Sequence, residues 1–159
     1  MGMNFNREID GFDVSLRIDG YESPSKHAFG DSWCNCGFSF KFGDVVNYSK
    51  EDDEFLTPEE VDIISQGLTE LLDGNITEQC TIELTEPYFL FKLYPVKDLR
   101  TDSRYSYIAP GCEMQDIYVE WRIYFWNNAP TGNYLTITLD REDITALRDF
   151  LNSCITQHT

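Results

Sequence analysis

Trp33-Cys34-Asn35-Cys36-Gly37-Phe38-Ser39-Phe40-Lys41-Phe42 carries the strongest alternation in the chain. Cys34, Cys36, Phe38, Phe40 and Phe42 fall on one side of an extended backbone, and Asn35, Ser39 and Lys41 on the other. A period of two marks a strand with one buried face. Upstream, Val14, Leu16 and Ile18 alternate with Asp13, Ser15 and Arg17, which predicts another strand over residues 12–18. Gly20 and the polar Tyr21-Glu22-Ser23-Pro24-Ser25 end it. Downstream, Gly43-Asp44 offers a bend, residues 45–48 a further short strand, and Lys50-Glu51-Asp52-Asp53-Glu54 a charged loop.

A helix start follows in which several signals agree. Thr57 can cap, Pro58 suits the first helical position, and Glu60 closes a capping box. Val61, Ile64, Leu68, Leu71 and Leu72 keep helical spacing until Asp73-Gly74-Asn75, where Gly74 is the expected left-handed residue. Gly67 inside that helix costs about 1 kcal/mol relative to alanine and suggests a close approach to a sheet. Cys80, Ile82 and Leu84, then Phe89, Phe91 and Leu93, predict two strands of a hairpin around Thr85-Glu86-Pro87. Residues 96–116 show no clear period, which is long for a loop and suggests a functional or mobile element. Val119, Trp121, Ile123 and Phe125 define one face of a strand over residues 117–126. After a turn at 127–133, Leu135, Ile137 and Leu139 point inward from a returning strand. Asp140 and Asp143 then cap a last helix whose stripe is Ile144, Leu147, Leu151 and Cys154. The expected architecture is one α+β domain over residues 1–159, with its core at about 12–155. A single, mainly antiparallel sheet of about six strands would carry two helices on one face.

The chain has 159 residues and a formal net charge of −16. Such a charge argues against binding a phosphate backbone. With 42% apolar residues the chain is too hydrophobic for a disordered acidic tail. No apolar run is long enough to span a membrane, and the N-terminal residues have no signal-peptide core. A cytoplasmic protein is expected. Its five cysteines are odd in number, which favours free thiols; Cys34, Cys36, Cys80 and Cys154 read as small buried hydrophobes and Cys112 as a loop residue.

Catalytic signatures are missing from the sequence. A nucleophile needs a base, yet His27 sits in a Ser/Pro/Lys/Gly loop and His158 in the tail. The one Cys-x-Cys has no second pair for zinc, and the acids at 51–54 lack the calcium-loop pattern. No catalytic residue, metal site or cofactor is assigned. The aromatics opposite the core faces are more informative: Trp33, Tyr118, Tyr124 and Trp126 leave both sides of their strands apolar. Tyr105 and Tyr107 add two more in the irregular segment. Either the 96–116 segment or a second layer covers these rings, or they form a surface for protein binding or self-association.

The order of landmarks resembles the WapI-type immunity proteins of bacterial contact-dependent and polymorphic toxin systems. The resemblance rests on Asp31-Ser32-Trp33 leading the strand Cys34-Asn35-Cys36-Gly37-Phe38-Ser39-Phe40. It continues through Leu56-Thr57-Pro58-Glu59-Glu60-Val61, Leu71-Leu72-Asp73-Gly74, Leu84-Thr85-Glu86-Pro87-Tyr88-Phe89-Leu90-Phe91 and Leu139-Asp140-Arg141-Glu142-Asp143-Ile144. It implies a non-catalytic protein that neutralises a cognate toxin by binding it. A toxin that acts on nucleic acid is basic, so an acidic partner gains electrostatic steering towards it. Local charge nominates Glu51, Asp52, Asp53 and Glu54 as steering groups, with Asp98, Asp102, Glu113 and Asp116 beside them. Strand alternation nominates Trp33, Tyr118, Tyr124 and Trp126 as anchors. The alternative is a self-associating module with the same aromatic faces buried in a homodimer.

Overall fold

The alternating stretch Cys34–Phe42 is a strand, and it is the third of four in an antiparallel meander. The structure, a computed structural model, describes residues 3–23 and 33–157. The meander comprises β1 (Met3–Ile9), β2 (Phe12–Asp19), β3 (Cys34–Phe42) and β4 (Val46–Leu56), and helix α1 (Pro58–Leu72) follows. Strands β5 (Cys80–Glu83), β6 (Phe89–Tyr94), β9 (Tyr118–Trp126) and β10 (Pro130–Leu139) build a second antiparallel sheet in the order β10-β9-β6-β5. Between β6 and β9 the chain leaves this sheet as a ribbon of β7 (Lys97–Asp98) and β8 (Met114–Gln115). Helix α2 (Arg141–Thr156) closes the fold.

The expected single sheet of about six strands, with helices on one face, is therefore wrong: two four-stranded sheets face each other. The reason lies in the area to be covered. Eight strands with apolar inner faces present more surface than two helical stripes can cover, so the sheets cover each other. Phe38 and Phe40 of one sheet meet Phe89 and Trp121 of the other, with Phe38–Phe89 and Phe40–Trp121 ring centroids 5.3 and 5.2 Å apart. The helices pack on one another and bridge both sheets, α2 touching β1, β9 and β10, and α1 touching β6.

Two further expectations change. Residues 3–9, passed over as a strand in the sequence, pair along their whole length with β2. Arg7 breaks their apolar pattern because its guanidinium reaches Asp143 at the start of α2, 2.7 Å away. Asp10 and Gly11, both with positive φ, make the two-residue hairpin turn between β1 and β2. The charged stretch 50–54 is also strand, not loop: β4 stays paired with β3 through two register shifts, opposite the segments 34–36 and 36–38. These bulges scramble the alternation that would have announced a strand. Similarly, β10 already begins at Pro130, with a register shift between Pro130 and Tyr134.

The helix starts stand as read. Glu60 N–H donates to Thr57 Oγ1 and Thr57 N–H to Glu60 Oε1, while Asp140 and Asp143 form the matching box on α2. Gly74 has φ +79°, and Asn75 N–H bonds to Glu70 O as a helix stop requires. Gly67 does mark a close approach: a Cβ there would stand 2.9 Å from Ile82 Cδ1 of β5. Glu60 has a second task, because its Oε2 accepts the Thr85 N–H at 2.6 Å and pins the β5–β6 turn to the helix.

Cys34, Cys36 and Cys154 are buried as expected, and burial pushes the Cys34 and Cys154 thiols up to about 12 and about 11. Cys80 is exposed, against expectation, because β5 is an edge strand. Native thiol labelling at pH 8 should therefore modify two cysteines, Cys80 and Cys112, quickly, and all five only in denaturant. Three or more fast thiols would contradict this packing. In denaturant unfolding, Thr57→Ala should cost about 1 kcal/mol as a lost cap. Glu60→Ala should cost about 2–3 kcal/mol, because the Thr57 and Thr85 N–H groups both lose a charged acceptor. Equal costs would mean that the Glu60–Thr85 tie contributes nothing.

Candidate functional site

The nominated residues fall into three neighbourhoods. The first is the bulged strand β4. Asp52 has φ +51°, and the bulge turns Glu51 and Asp52 over the outer face of the first sheet. There Arg17 of β2 lies 3.0 Å from Asp52 and 3.9 Å from Glu51, and also pairs with Asp19. Gly37 makes room for this cluster, since a Cβ would come within 3.0 Å of Glu51 Oε2 and 3.2 Å of Arg17. Glu51, Asp52 and Glu54 are exposed. Asp53 is half-buried and accepts the Tyr88 hydroxyl at 2.5 Å; burial, and then this bond, raises the Tyr88 pKa. Trp33, at the entry to β3, is half-buried.

The second neighbourhood is the outer face of the second sheet, where rows of cross-strand pairs carry the aromatics. Tyr94 and Tyr118 stack with centroids 4.3 Å apart, and the Tyr94 hydroxyl donates to Glu120, which lifts its pKa to about 12. Arg122 lies 4.1 Å from the centre of the Tyr134 ring, and Tyr124 meets the same ring edge-on. Trp126, the last residue of β9, departs from this face: it stacks at 4.2 Å on Tyr88, which is buried against Phe38 and Phe55 between the sheets, and its indole N–H donates to Pro87 O. Tyr118, Tyr124 and Trp126 are thus half-buried among other aromatic side chains rather than under a second layer of helix.

The third neighbourhood is residues 96–116, which form an arm with its own bracing. Lys97 pairs with Gln115 and Asp98 with Met114 across the ribbon, and Leu99 N–H donates to Glu113 O. Asp98 holds Arg100 at 2.8 Å; Asp102 holds Arg104 at 2.6 Å and Lys97 at 2.7 Å. Arg104, then Lys97, keeps the Asp102 carboxyl well below the usual carboxylate range, and Arg100 does the same for Asp98 in milder form. Glu113 accepts the Gly111 N–H at 3.0 Å. Asp116 pairs instead with Arg141 on α2, 2.6 Å away, which lowers its pKa and ties the arm's return to the fold. A cleft of about 550 Å³ at the arm's root is lined by Tyr94, Lys97, Arg104, Gln115 and Tyr118, among others.

The side chains this arm exposes are Tyr105, Tyr107 and Met114; the two tyrosines stand out in the sequence among the aromatics outside the core, but none of the three is nominated there as an anchor. Tyrosines in a stretch without period were visible, but nothing in the pattern separated exposed from covered ones. Among the described residues no group of three or more His, Cys, Asp or Glu is placed to hold a metal ion. His27 and His158 lie outside the described residues. The described surface offers exposed carboxylates on one sheet, aromatic rows on the other and a braced arm between its central strands. These are means of holding a macromolecule.

No curated protein matches the chain. The profile of the immunity protein WapI-like family matches residues 5–158, from within β1 through α2. That match takes in both sheets, the arm and both helices, so the chain belongs to the immunity protein WapI-like family.

Proposed function

We propose that this protein neutralises a cognate toxin domain by binding it and covering its active or substrate-binding surface, with no reaction of its own. The observation that carries this reading is the family match over nearly the whole chain. The charge supports a basic partner that acts on nucleic acid in the cytoplasm. A net −16 attracts a domain built to bind phosphates and repels the phosphates themselves. Exposed Glu51, Asp52 and Glu54 are the steering charges of β4, whereas Asp53 acts there mainly by holding Tyr88. Trp33, Tyr118, Tyr124 and Trp126 offer ring edges at the rim of the contact.

The test uses the toxin domain encoded beside this chain's gene. A stoichiometric amount of the protein should abolish that domain's activity, and association should slow as salt rises. The variant Glu51→Lys/Asp52→Asn/Glu54→Lys keeps Asp53, and it places at position 52 a residue that tolerates positive φ. It should lower the low-salt association rate about tenfold and leave dissociation nearly unchanged. An unchanged on-rate would remove these acids from steering. A toxin fully active in excess protein would overturn the immunity reading.

A further inference from the structure

Between residues 97 and 115 the arm carries three cations, Lys97, Arg100 and Arg104, and three acids, Asp98, Asp102 and Glu113. It is charge-balanced within a chain of net −16. Its acids are turned inward to its own groups: Asp98 to Arg100, Asp102 to Arg104 and Lys97, and Glu113 to the Gly111 N–H. Outward the arm presents the guanidiniums of Arg100 and Arg104, each held by its own aspartate, and beside them three apolar or aromatic side chains. Tyr107 is 77% exposed, Met114 55% and Tyr105 45%.

Depletion of free charge with enrichment in Tyr and Met is the composition of an interface centre, not of a rim. Tyrosine also brings a large contact area with only two torsions to order. Cross-strand pairing at the base, with the Asp102 N–H bonded to Leu99 O and the Cys112 N–H to Ala109 O, fixes the backbone before any partner arrives. A braced segment has less conformational freedom to lose on binding.

We propose that this arm is the anchor of the toxin complex. Its Tyr105 and Tyr107 rings insert into an apolar concave surface of the basic toxin domain, while the acids of β4 govern approach. The inference rests on the immunity reading above. Charge selects the occupant: a second copy of this chain would bring another −16 and be repelled, whereas a basic domain is drawn in. A charge-balanced arm can then be buried against that domain without stripping water from an unpaired carboxylate.

The experiment measures binding of the catalytically silenced toxin domain encoded beside this gene, at moderate salt. It compares the wild-type protein, Tyr105→Ala/Tyr107→Ala, Tyr107→Ala alone, and Val45→Ala on the β3–β4 turn as a surface control. The double variant should raise Kd about 100-fold, through faster dissociation, with the melting temperature and low-salt on-rate unchanged. Val45→Ala should bind as wild type. If the double variant melts early, Tyr107→Ala alone decides, because Tyr107 is more exposed than Tyr105; a Kd raised about tenfold or more supports the anchor. Binding by the folded tyrosine variants within about threefold of wild type would overturn the anchor while leaving the immunity reading intact. Failure of the wild-type protein to bind or inhibit the domain would overturn both.

Discussion

The fold depends on the edge-to-face contact of Phe38 and Phe40 with Phe89 and Trp121. Each of these four side chains is at most 2% exposed. They belong to β3, β6 and β9, so one aromatic cluster couples strands formed before α1 to strands formed after it. Edge-to-face rings are directional as well as apolar, which fixes how the two sheets sit on each other. Trp121 shows how far packing dominates. Among the described residues its indole N–H has no hydrogen-bond partner, a cost of about 1–3 kcal/mol, yet the ring is completely buried. Burial of so large a ring against Phe40, Phe89 and Phe91 outweighs that cost. The helices then have a defined place, because Phe5 of β1 and Phe150 of α2 meet at the margin of the same core.

Local rules were legible where they depend on neighbours in the chain. Both capping boxes, the Gly74 stop and the β5–β6 hairpin follow from residues near one another in the chain. The partition of strands into two sheets does not, because alternation shows that a face is buried and is silent about what buries it. Arg7 and the β4 bulges hid two strands for related reasons. In each case a charged side chain has a distant partner, Asp143 for Arg7 and Arg17 for Asp52, that no local pattern encodes. The Asp10-Gly11 turn was the clue available for β1. On the surface, charge was legible as a sum but not as a role. Asp102 and Glu51 read alike in sequence, yet one is enclosed by two cations and the other is open to solvent.

That difference in role separates two physical tasks. In the proposed complex, the exposed carboxylates on β4 would act over the Debye length and mainly affect how often a basic partner arrives. Carboxylates in the arm bond to its own arginines, lysine and backbone N–H groups, and their effect is to hold a backbone. Long-range attraction needs net charge, which the β4 face keeps because Asp19, Glu51 and Asp52 share one cation, Arg17, while close contact penalises unpaired charge. Placing the two on different elements lets one acidic protein provide both.

The arm's position in the sheet gives it a stiffness that an edge loop would lack. It leaves from β6 and returns into β9, which are adjacent and are the two central strands of their sheet. Tyr94, the last residue of β6, stacks on Tyr118, the first of β9, so the arm's two ends are clamped together. The Asp116–Arg141 pair ties the returning end to the first turn of α2 as well. On the opposite faces of the same two strands lie Phe89 and Trp121. The contact that joins the sheets therefore also sets the platform from which the arm projects. A mutation in that aromatic cluster would reach the arm through β6 and β9, and loss of packing between the sheets would be felt as a displaced arm.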